Sequence, residues 1–370
     1  MVDQSTDFFQ ITDNFKEHAD TPSLLISASS LDFIPKVSIV IPTYKRTDLL
    51  KEALDSAINQ AGYEYYDIII AHDDAERGDA TEKLLSTYTN KRISYYKNAA
   101  TLSMVGNMNR CFELTKADWV VMLHDDDLLL PDFLCECMKF IKENPGTGIL
   151  KPGQYELHQQ ERLPEFRTDK KITRVYDVDH CLGNIIASPS GVLFNKQQVL
   201  SIGGFNPLFY PQFDFVFMVL FSHYYKVYKM NRVLSVYRWI RNVSLHIETL
   251  KGFVAHDFYL YTFLYRWFNI PAALGSNILS LKFMGIEKEY KKINTDFSFD
   301  VATLGIKPIS SGKARLSYYM LRIIVLFYRA VYRLGGSNIF TKRKTKLKSK
   351  HDVKGEELFN SLLLLAACFN

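Results

Sequence analysis

The run WVVMLHDDDLLLPDFL, Trp119 to Leu134, places three consecutive carboxylates between two apolar stretches. The first stretch is short and rich in valine, which predicts a buried strand. The second contains Pro131, and proline is favoured at an early position of a helix. Neighbouring carboxylates repel each other, and a buried carboxylate is costly unless a cation compensates its charge. The run therefore predicts a strand, a turn whose acids need a cation, and a helix.

The same alternation of an apolar strand and a helix fills the chain before this run. Three further strands are predicted, at VSIVIP (Val37 to Pro42), YDIIIAHDD (Tyr66 to Asp74) and RISYYKN (Arg92 to Asn98). Alternating strands and helices indicate an α/β fold with a mainly parallel sheet flanked by helices. Ligands of such sheets bind beyond the carboxyl ends of the strands, so the segments at Pro42, Asp74 and Asp125 should face one crevice.

Length and composition predict a main domain with an extension. The chain has 370 residues and 47% hydrophobic residues, which is more than one ordinary domain needs. We divide it into an N-terminal leader (1–35), an α/β domain (36–250) and a helical, basic C-terminal region (251–370). Neither a signal peptide nor a transmembrane segment is expected. Five scattered cysteines, interpreted as reduced thiols, favour a cytoplasmic protein.

Carboxylates grouped beyond a strand end are typical of a site for a hard divalent cation. Mg²⁺ and Mn²⁺ take oxygen ligands, commonly one or two carboxylates together with phosphate oxygens. The alternative is that the acids cap the helix near Pro131, but one aspartate suffices for that. We therefore expect the HDDD run to bind Mn²⁺ or Mg²⁺.

Five segments, taken in order, resemble the inverting family 2 glycosyltransferases of the GT-A fold. They are VSIVIPTYKR, AHDD, NMNRCFELTKADWVVMLHDDDLLLPDFL, SGVLFNKQQVLSIGGF and the acid Asp214. The resemblance covers roughly residues 36–245. It implies a GT-A catalytic domain, similar to a Rossmann fold, of a hexosyltransferase. Such an enzyme would move a sugar from a nucleotide donor, here a UDP-sugar, to a lipid-linked or growing glycan during synthesis of a bacterial surface polysaccharide.

The resemblance also implies a donor site. In the family the backbone after the first strand holds the base, and an aspartate ending the second strand bonds to it. Asp74 fits that aspartate best, although Ala75-Glu76 replaces the usual Gly-Ser, and a turn-forming role stays open for it. The residues assigned to donor binding are Pro42, Thr43, Tyr44, Arg46, Asp74, Asn109, Asp125, Arg238 and Arg241. Asn109 also has a structural alternative. The two arginines lie in a segment that resembles a loop closing over the diphosphate, and the alternative for them is a solvated basic loop.

The family's metal motif, Asp-x-Asp-Asp before Leu-x-x-Pro, aligns with residues 124–127. Asp126 then falls on the metal ligand, and Asp127 is assigned to the metal as a ligand or as support for one. His124 replaces the first aspartate of the motif. Three roles stay open for it: metal ligand, hydrogen-bond donor to the diphosphate, or buried structural histidine. His246 is a further candidate for the metal or the phosphates.

An inverting enzyme needs a base that takes the proton of the acceptor hydroxyl. The family carries this base after a Gly-Gly-Phe segment, and in GGFNPLFYPQFDF the available acid is Asp214. Phe213 and Phe215 beside it predict desolvation, which raises the pKa of a carboxylate and its basicity. The alternative for Asp214 is a helix N-cap.

The C-terminal region contains a predicted amphipathic helix, residues 314–334. Arg315, Arg322, Arg329 and Arg333 fall on one stripe of it, and a polybasic segment, KRKTKLKSK, follows at 342–350. Residues 314–350 therefore predict peripheral binding to the anionic inner face of the cell membrane. Packing on the catalytic domain, or on a second subunit of a homo-oligomer, is left open. No nucleic-acid-reading motif is present, and no nucleic acid is expected as a partner.

Two other functions remain open. A catalytically inactive GT-A scaffold or glycan-binding partner would keep the fold, but Asp126 and Asp214 argue against it. A nucleotidyltransferase would use a similar crevice, but the Gly-Gly-Phe segment followed by Asp214 fits glycosyl transfer better.

Overall fold

The computed structural model describes residues 2–158, 164, 166, 169, 171–239 and 246–334. They include a ten-stranded sheet flanked by helices. The strands are β1 (Ser23–Ser27), β2 (Val37–Thr43), β3 (Tyr66–His72), β4 (Ile93–Asn98), β5 (Trp119–Met122), β6 (Leu128–Leu129), β7 (Thr147–Leu157), β8 (Ile172–Val175), β9 (Val192–Asn195) and β10 (Lys226–Arg238). The helices are α1 (Thr47–Ile58), α2 (Ala80–Leu85), α3 (Ser103–Leu114), α4 (Phe133–Glu143), α5 (Lys196–Ser201), α6 (Phe213–Tyr224), α7 (Ile247–Trp267), α8 (Ala272–Phe283), α9 (Ile286–Lys291) and α10 (Ser311–Arg333).

The centre of the sheet is parallel because its strands suit burial on both faces. All seven residues of β3 are buried, and β2 is buried except at Pro42. β2 pairs in parallel with β3 and β5, and β3 pairs in parallel with β4. The predicted α/β class with a parallel central sheet and a helical C-terminal region is confirmed.

The strand order creates a crevice at the end of β2. In the order β1-β4-β3-β2-β5-β9-β7-β10-β6, the chain adds β3 and β4 on one side of β2 and then places β5 on its other side. Parallel sheets bind ligands where the order reverses in this way, beyond the carboxyl ends of the strands. β2 ends at Thr43 and β5 ends at Met122, so residues 44–46 and 123–127 border the crevice.

The N-terminal residues, assigned to a leader from the sequence, contribute to the sheet and its packing. β1 pairs antiparallel with β4 and covers its edge. Phe8 and Phe9 are 1% and 5% exposed. The Asn14 side-chain amide donates to the Gly203 carbonyl at 2.9 Å. The sheet therefore begins before residue 36, which the polar N-terminal composition did not indicate.

α1 begins without a side-chain cap. Arg46 occupies the N-cap position and makes no side-chain cap hydrogen bond. The Thr47 hydroxyl instead lies 3.0 Å from that of Thr81. The Arg46 side chain is thus available to the crevice.

Residues after the sheet are helical, as predicted. The chain up to Tyr318 forms one compact unit, and residues 319–334 belong to a second. α10 contains all four arginines of the predicted amphipathic helix. Among the residues described, no helix has the length and apolarity needed to cross a bilayer. The polybasic segment at 342–350 and Arg241 lie outside the described residues.

Candidate active site

The chain turns sharply after β2, and the side chains of Thr43 and Arg46 contact the acids that follow β5. Lys45 has a φ of +53°, a left-handed conformation that costs a non-glycine residue free energy and is often found at functional sites. The Thr43 hydroxyl, 3% exposed, donates to Asp125 Oδ2 at 2.7 Å. Tyr44 between them is 48% exposed. The turn therefore fixes Asp125 from one side and leaves an aromatic ring at the surface of the crevice.

The three carboxylates lie in the turn between β5 and β6. The turn is closed by a hydrogen bond from the Asp127 amide to the His124 carbonyl, 3.1 Å. Asp125, Asp126 and Asp127 are only 5%, 7% and 0% exposed. Burial, together with the charge of Asp126, raises the pKa of Asp125 to about 6 and that of Asp127 to about 7. The turn thus holds acids whose ionised forms require a cation nearby.

Arg46 supplies one positive charge to this turn. Its Nη1 lies 3.1 Å from Asp125 Oδ1 and 2.8 Å from Asp126 Oδ2. The arginine side chain remains 29% exposed. The sequence assigned Arg46 to the donor, and the structure brings it onto the two acids at the mouth of the crevice.

Arg238 holds the acid turn, residues 124–127, in place through several hydrogen bonds. Its backbone amide donates to Asp127 Oδ1 at 2.9 Å, its Nε donates to the Asp126 carbonyl, and its Nη1 pairs with Glu52. The residue is 3% exposed. Arg238 is the last residue of β10 and holds the turn in place through these contacts, and its assignment to the donor stays a prediction.

The residues of the turn fit a divalent cation. His124, Asp126 and Asp127 each offer one ligand atom, and these atoms lie within 4.8 Å of one another. Within the described part of the chain, His124 Nε2 and Asp127 Oδ2 are buried and have no hydrogen-bond partner. Burial lowers the pKa of His124, which favours the neutral imidazole that binds metals. His246 begins α7 and belongs to neither group of candidate ligands found among the described residues.

The two acids after β3 differ: Asp73 is buried and hydrogen-bonded within the fold, whereas Asp74 is partly exposed. Asp73 accepts hydrogen bonds from the Leu102 amide at 2.7 Å and from Asn98 Nδ2 at 2.9 Å, and it is 3% exposed. The Asp74 carboxylate instead lies 3.3 Å from Nζ of Lys45, a residue of the turn after β2. The choice of Asp74 over Asp73 for the donor base is consistent with this difference.

A second group of candidate ligands, His72, Asp74 and Asp79, fits a metal less well. Lys97 is 1% exposed, and its ammonium group pairs with the Asp79 carboxylate and donates to the Glu76 carbonyl. A cation already neutralises this group, so a divalent ion there would meet a buried positive charge. We regard it as a structural network that shapes the loop after β3.

Asp214 lies in the first turn of α6, apart from the acid turn. Its Oδ1 accepts a hydrogen bond from the Phe215 amide at 2.7 Å, and burial raises its pKa to about 6. The predicted desolvation of Asp214 is thus present.

Asn109 was assigned to the donor with a structural role as the alternative, and its contacts favour the structural role. Its Nδ2 donates to the Phe205 carbonyl at 2.7 Å, and its Oδ1 accepts from the Phe205 amide at 2.8 Å. The residue is 3% exposed. Asn109 therefore anchors the Gly-Gly-Phe segment to α3.

Lys151 and Ser190 lie beside the acid turn and hydrogen-bond to each other, and Ser190 also bonds to His124. The sequence motifs assigned no role to either residue. Lys151, on β7, is 4% exposed and donates to the Ser190 carbonyl at 2.8 Å. Burial lowers its pKa to about 7, while the Asp127 charge acts in the opposite direction. The Ser190 hydroxyl accepts from the His124 amide at 3.1 Å. The signal that could have identified Lys151 is its position directly after the apolar pair Ile149-Leu150, where a strand would bury it.

A comparison with known protein families identifies the domain that contains these residues. Residues 38–183 match the model of Glycosyl transferase family 2, a range that includes the turn after β2, the loop after β3 and the acid turn. The chain carries a glycosyl transferase family 2 domain. The resemblance seen in the motifs, and the GT-A type of α/β fold that it implied, are confirmed at this level.

Individual relatives of the family 2 domain are distant. The GalNAc(5)-diNAcBac-PP-undecaprenol beta-1,3-glucosyltransferase of Campylobacter jejuni is 25% identical over 264 residues, 70% of this chain and 79% of that protein. An uncharacterized protein of Mycobacterium tuberculosis is 26% identical over 49% of this chain, and the chain spans 60% of its length. The structure of S. aureus TarS 1-349 in complex with UDP-GlcNAc superposes with a TM-score of 0.49 at 15% identity, covering 81% of this chain and 92% of that one.

Proposed function

We propose that this chain is an inverting, metal-dependent hexosyltransferase. It would move a sugar from a UDP-sugar to a hydroxyl of a growing or lipid-linked glycan during synthesis of a surface polysaccharide. The observation that carries this proposal is the group of His124, Asp126 and Asp127 in a family 2 domain, with ligand atoms within 4.8 Å of one another. The Campylobacter relative, a glucosyltransferase that acts on an undecaprenol-linked glycan, supports a hexosyl donor and a lipid-linked acceptor.

His124, Asp126 and Asp127 would hold Mn²⁺ or Mg²⁺. When bound there, the ion supplies Lewis-acid stabilisation of the charge that develops on the leaving diphosphate. Asp125, held by Thr43 and Arg46, would accept a hydrogen bond from the donor's ribose, since its carboxylate is fixed beside the same crevice.

The nucleotide base would lie between the turns after β2 and β3. The Asp74 carboxylate can accept a hydrogen bond from a base N–H, and Lys45 at 3.3 Å keeps it ionised. The exposed Tyr44 ring offers a stacking surface, and the backbone at Pro42 and Thr43 offers polar contacts. This assignment favours a base with an N–H donor on its edge, as uracil has.

Asp214 would act as the general base. As the acceptor oxygen forms a bond to the anomeric carbon of the sugar, its proton passes to the Asp214 carboxylate. The bond between that carbon and the diphosphate oxygen breaks, and its electron pair leaves with the nucleoside diphosphate. Attack on the face opposite the leaving group inverts the configuration.

α10 would place the enzyme at the anionic inner face of the cell membrane. Along one face of this helix Leu316, Tyr319, Ile323 and Leu326 are 58–62% exposed. Arg315 and Arg322, also exposed, lie along the edge of that face. An exposed apolar stripe bordered by arginines suits an interface of acyl chains and anionic head groups.

The decisive experiment measures donor binding and sugar transfer separately. Binding of UDP-sugars and GDP-mannose is followed by calorimetry with Mn²⁺ and with a chelator. We expect Asp126→Asn to weaken Mn²⁺-dependent donor binding by at least about tenfold, because a charged ligand is lost. Asp214→Asn should bind donor normally and transfer sugar about 10²- to 10⁴-fold more slowly.

Asp296→Asn, an exposed acid in the C-terminal region, is the matched control and should leave both measurements unchanged. Donor binding that survives both chelation and Asp126→Asn would eliminate the metal assignment. Normal transfer by Asp214→Asn would remove it as the base. Donor binding with no transfer to any glycan or glycan lipid would favour the inactive scaffold.

A further inference from the structure

The buried lysine beside the acid turn uses all of its hydrogen-bonding capacity on nearby oxygen atoms. Nζ of Lys151 donates to the Ser190 carbonyl at 2.8 Å, to the Ser188 carbonyl at 3.2 Å and to Gln154 Oε1 at 3.1 Å. An ammonium group has three N–H donors, so each of them has an acceptor here. Burying a charged group is costly unless it is hydrogen-bonded in this way. Lys151 therefore holds the backbone of segment 188–190.

Ser190 connects this segment to the acid turn. The His124 amide donates to Ser190 Oγ at 3.1 Å, and the His124 carbonyl accepts from the Asp127 amide at 3.1 Å. Both hydrogen-bonding groups of the His124 backbone are thus held, one by Ser190 and the other within the turn. Gln154 Nε2 donates to the same Ser190 carbonyl as Lys151, at 3.2 Å. The position of Ser190 therefore fixes the backbone of His124.

A close backbone approach supports this arrangement independently. Gly191 has a φ of +67°, and its amide donates to the carbonyl of Met122, the last residue of β5, at 2.8 Å. A Cβ atom on Gly191 would stand 2.5 Å from Oγ of Ser235, in β10. Glycine is needed here because a side chain would displace the segment from the sheet. Segment 188–191 is thus fixed by β5 and β10 as well as by Lys151.

The side chain of His124 depends on the backbone that Ser190 holds. Within the described part of the chain, its Nε2 is buried and has no hydrogen-bond partner. Its candidate ligand atom lies within 4.8 Å of those of Asp126 and Asp127. Groups that bind a metal must be held within about 0.5 Å of the geometry that the ion requires. A small shift of the His124 backbone would therefore weaken metal binding.

We propose that Lys151 is a positioning residue for the divalent cation at the acid turn, acting through Ser190 on the backbone of His124. The inference rests on the proposed metal role of the acid turn. Lys151 does not bind the cation itself, because an ammonium group has no lone pair to offer. β7, which contributes no candidate ligand among the described residues, then supports the metal site from behind its ligands.

Mn²⁺ binding to the full chain without donor provides the first test, followed by electron paramagnetic resonance of the free ion. Lys151→Met removes the three hydrogen bonds and keeps an unbranched side chain. Loss of a positive charge near the acids would by itself favour a cation there, so weaker binding reports lost positioning. We expect the dissociation constant for Mn²⁺ to rise about tenfold. An unchanged or lower constant would overturn the inference.

Lys151→Gln is the second variant at this position. The glutamine amide can still donate to one of the two carbonyls, so its Mn²⁺ affinity should lie between those of the wild type and Lys151→Met. It replaces the methionine variant if that protein does not fold. Wild-type affinity in Lys151→Gln, at unchanged exchange of the His124 amide, would count against the inference.

Ser190→Ala tests the path from Lys151 to His124. It removes the hydroxyl that accepts from the His124 amide and keeps the carbonyl that accepts from Lys151. If Lys151 acts through Ser190, the losses are not additive, and the double variant should bind Mn²⁺ as weakly as the weaker single variant. Losses that multiply would show two independent effects and refute the path.

Hydrogen exchange of the His124 amide provides a readout without metal. It is measured by NMR on ¹⁵N-labelled protein in the presence of a chelator. Lys151→Met and Ser190→Ala should each speed this exchange about tenfold or more, because the hydrogen bond to Ser190 Oγ is loosened or lost. Faster exchange in Ser190→Ala alone would show that Lys151 does not hold Ser190.

Lys229→Met is the matched control. Lys229, in β10, is half-buried, and its Nζ donates to the Ile185 carbonyl at 2.8 Å, in the same stretch of chain before β9. Its replacement removes a lysine-to-carbonyl hydrogen bond that does not involve Ser190, so Mn²⁺ affinity and His124 exchange should keep their wild-type values. Equal weakening in the two methionine variants would show a general effect on the fold and refute the inference. A wild-type protein that binds no Mn²⁺ would instead refute the proposed metal site, and the inference with it.

Discussion

Asn109 uses both polar atoms of its side chain on the backbone of one residue, Phe205. Neither an aspartate nor an aliphatic residue can donate and accept in this way. The family resemblance assigned Asn109 to the donor and left a structural role open, and in that role a buried asparagine needs a hydrogen-bond partner. It could not name that partner, which lies 96 positions further along the chain.

Replacing Asn109 by alanine should reduce stability and leave donor affinity intact. The change leaves the Phe205 amide and carbonyl buried without partners, which costs about 2–3 kcal/mol of unfolding free energy. Urea unfolding measures this loss, and calorimetry of the folded variant measures donor affinity. Asn59→Ala, at an exposed position after α1, should cost much less. A selective loss of donor affinity at normal stability would restore the original assignment of Asn109 to the donor.

Arg46 also acquired its role from distant residues. Its guanidinium spans Asp125 and Asp126, which lie 79 and 80 positions away. The sequence indicated that the acids require a cation, because three adjacent carboxylates repel one another. Whether that cation is an arginine or a metal ion depends on the pairing of β2 with β5, because this pairing brings Arg46 to the acids. The structure provides both, an arginine in place and a set of atoms that fits a divalent ion.

At the scale of elements, the central strands were the easiest to predict. β2 and β3 are continuous apolar runs rich in valine and isoleucine, and this composition favours a strand buried on both faces. β1 was missed because Ser23–Ser27 is a short edge strand whose three apolar residues show no alternation with polar ones, and two of them, Leu24 and Leu25, are exposed. Its strand conformation follows from pairing with β4.

The Gly-Gly segment before α6 makes an element-scale prediction. Gly203 has a φ of +84°, and a Cβ there would stand 1.8 Å from the Thr12 carbonyl oxygen. Gly203→Ala should therefore cost at least about 3 kcal/mol of unfolding free energy, the sum of backbone strain and a clash that displaces the N-terminal segment. Thermal or urea unfolding measures the loss.

Gly78→Ala is the matched comparison for this prediction. Gly78 has a φ of +72° but open space around its Cα, so its replacement isolates the backbone strain. That strain alone should cost about 1–2 kcal/mol. Equal losses in the two variants would show that the N-terminal segment does not press on Gly203.

At the scale of the whole molecule, α10 should govern attachment to anionic membranes. Arg315→Gln combined with Arg322→Gln removes two charges, each contributing about 1 kcal/mol near an anionic surface, so vesicle affinity should fall about 30-fold. Leu316→Gln combined with Ile323→Gln should weaken binding by removing the exposed apolar stripe. Sedimentation with phosphatidylserine vesicles measures both effects.

Neutral phosphatidylcholine vesicles and Lys313→Gln, outside the arginine edge of the helix, provide the controls. The arginine variant should lose its difference from the wild type on neutral vesicles. Sedimentation with anionic vesicles that is the same for wild type and both double variants would show that α10 is not the attachment site.

The sequence by itself determined the alternation of strands and helices, the acids at the end of β5 and membership of the glycosyl transferase family 2 domain. These follow from local composition and periodicity, which a linear chain carries directly. Only the tertiary structure decided that Arg238 and Asn109 hold neighbouring segments in place, that Arg46 accompanies the acids and that Lys151 joins Ser190. The physical reason is that each of these roles depends on a contact between residues 39 to 112 positions apart, formed only when the sheet order and helix packing bring them together.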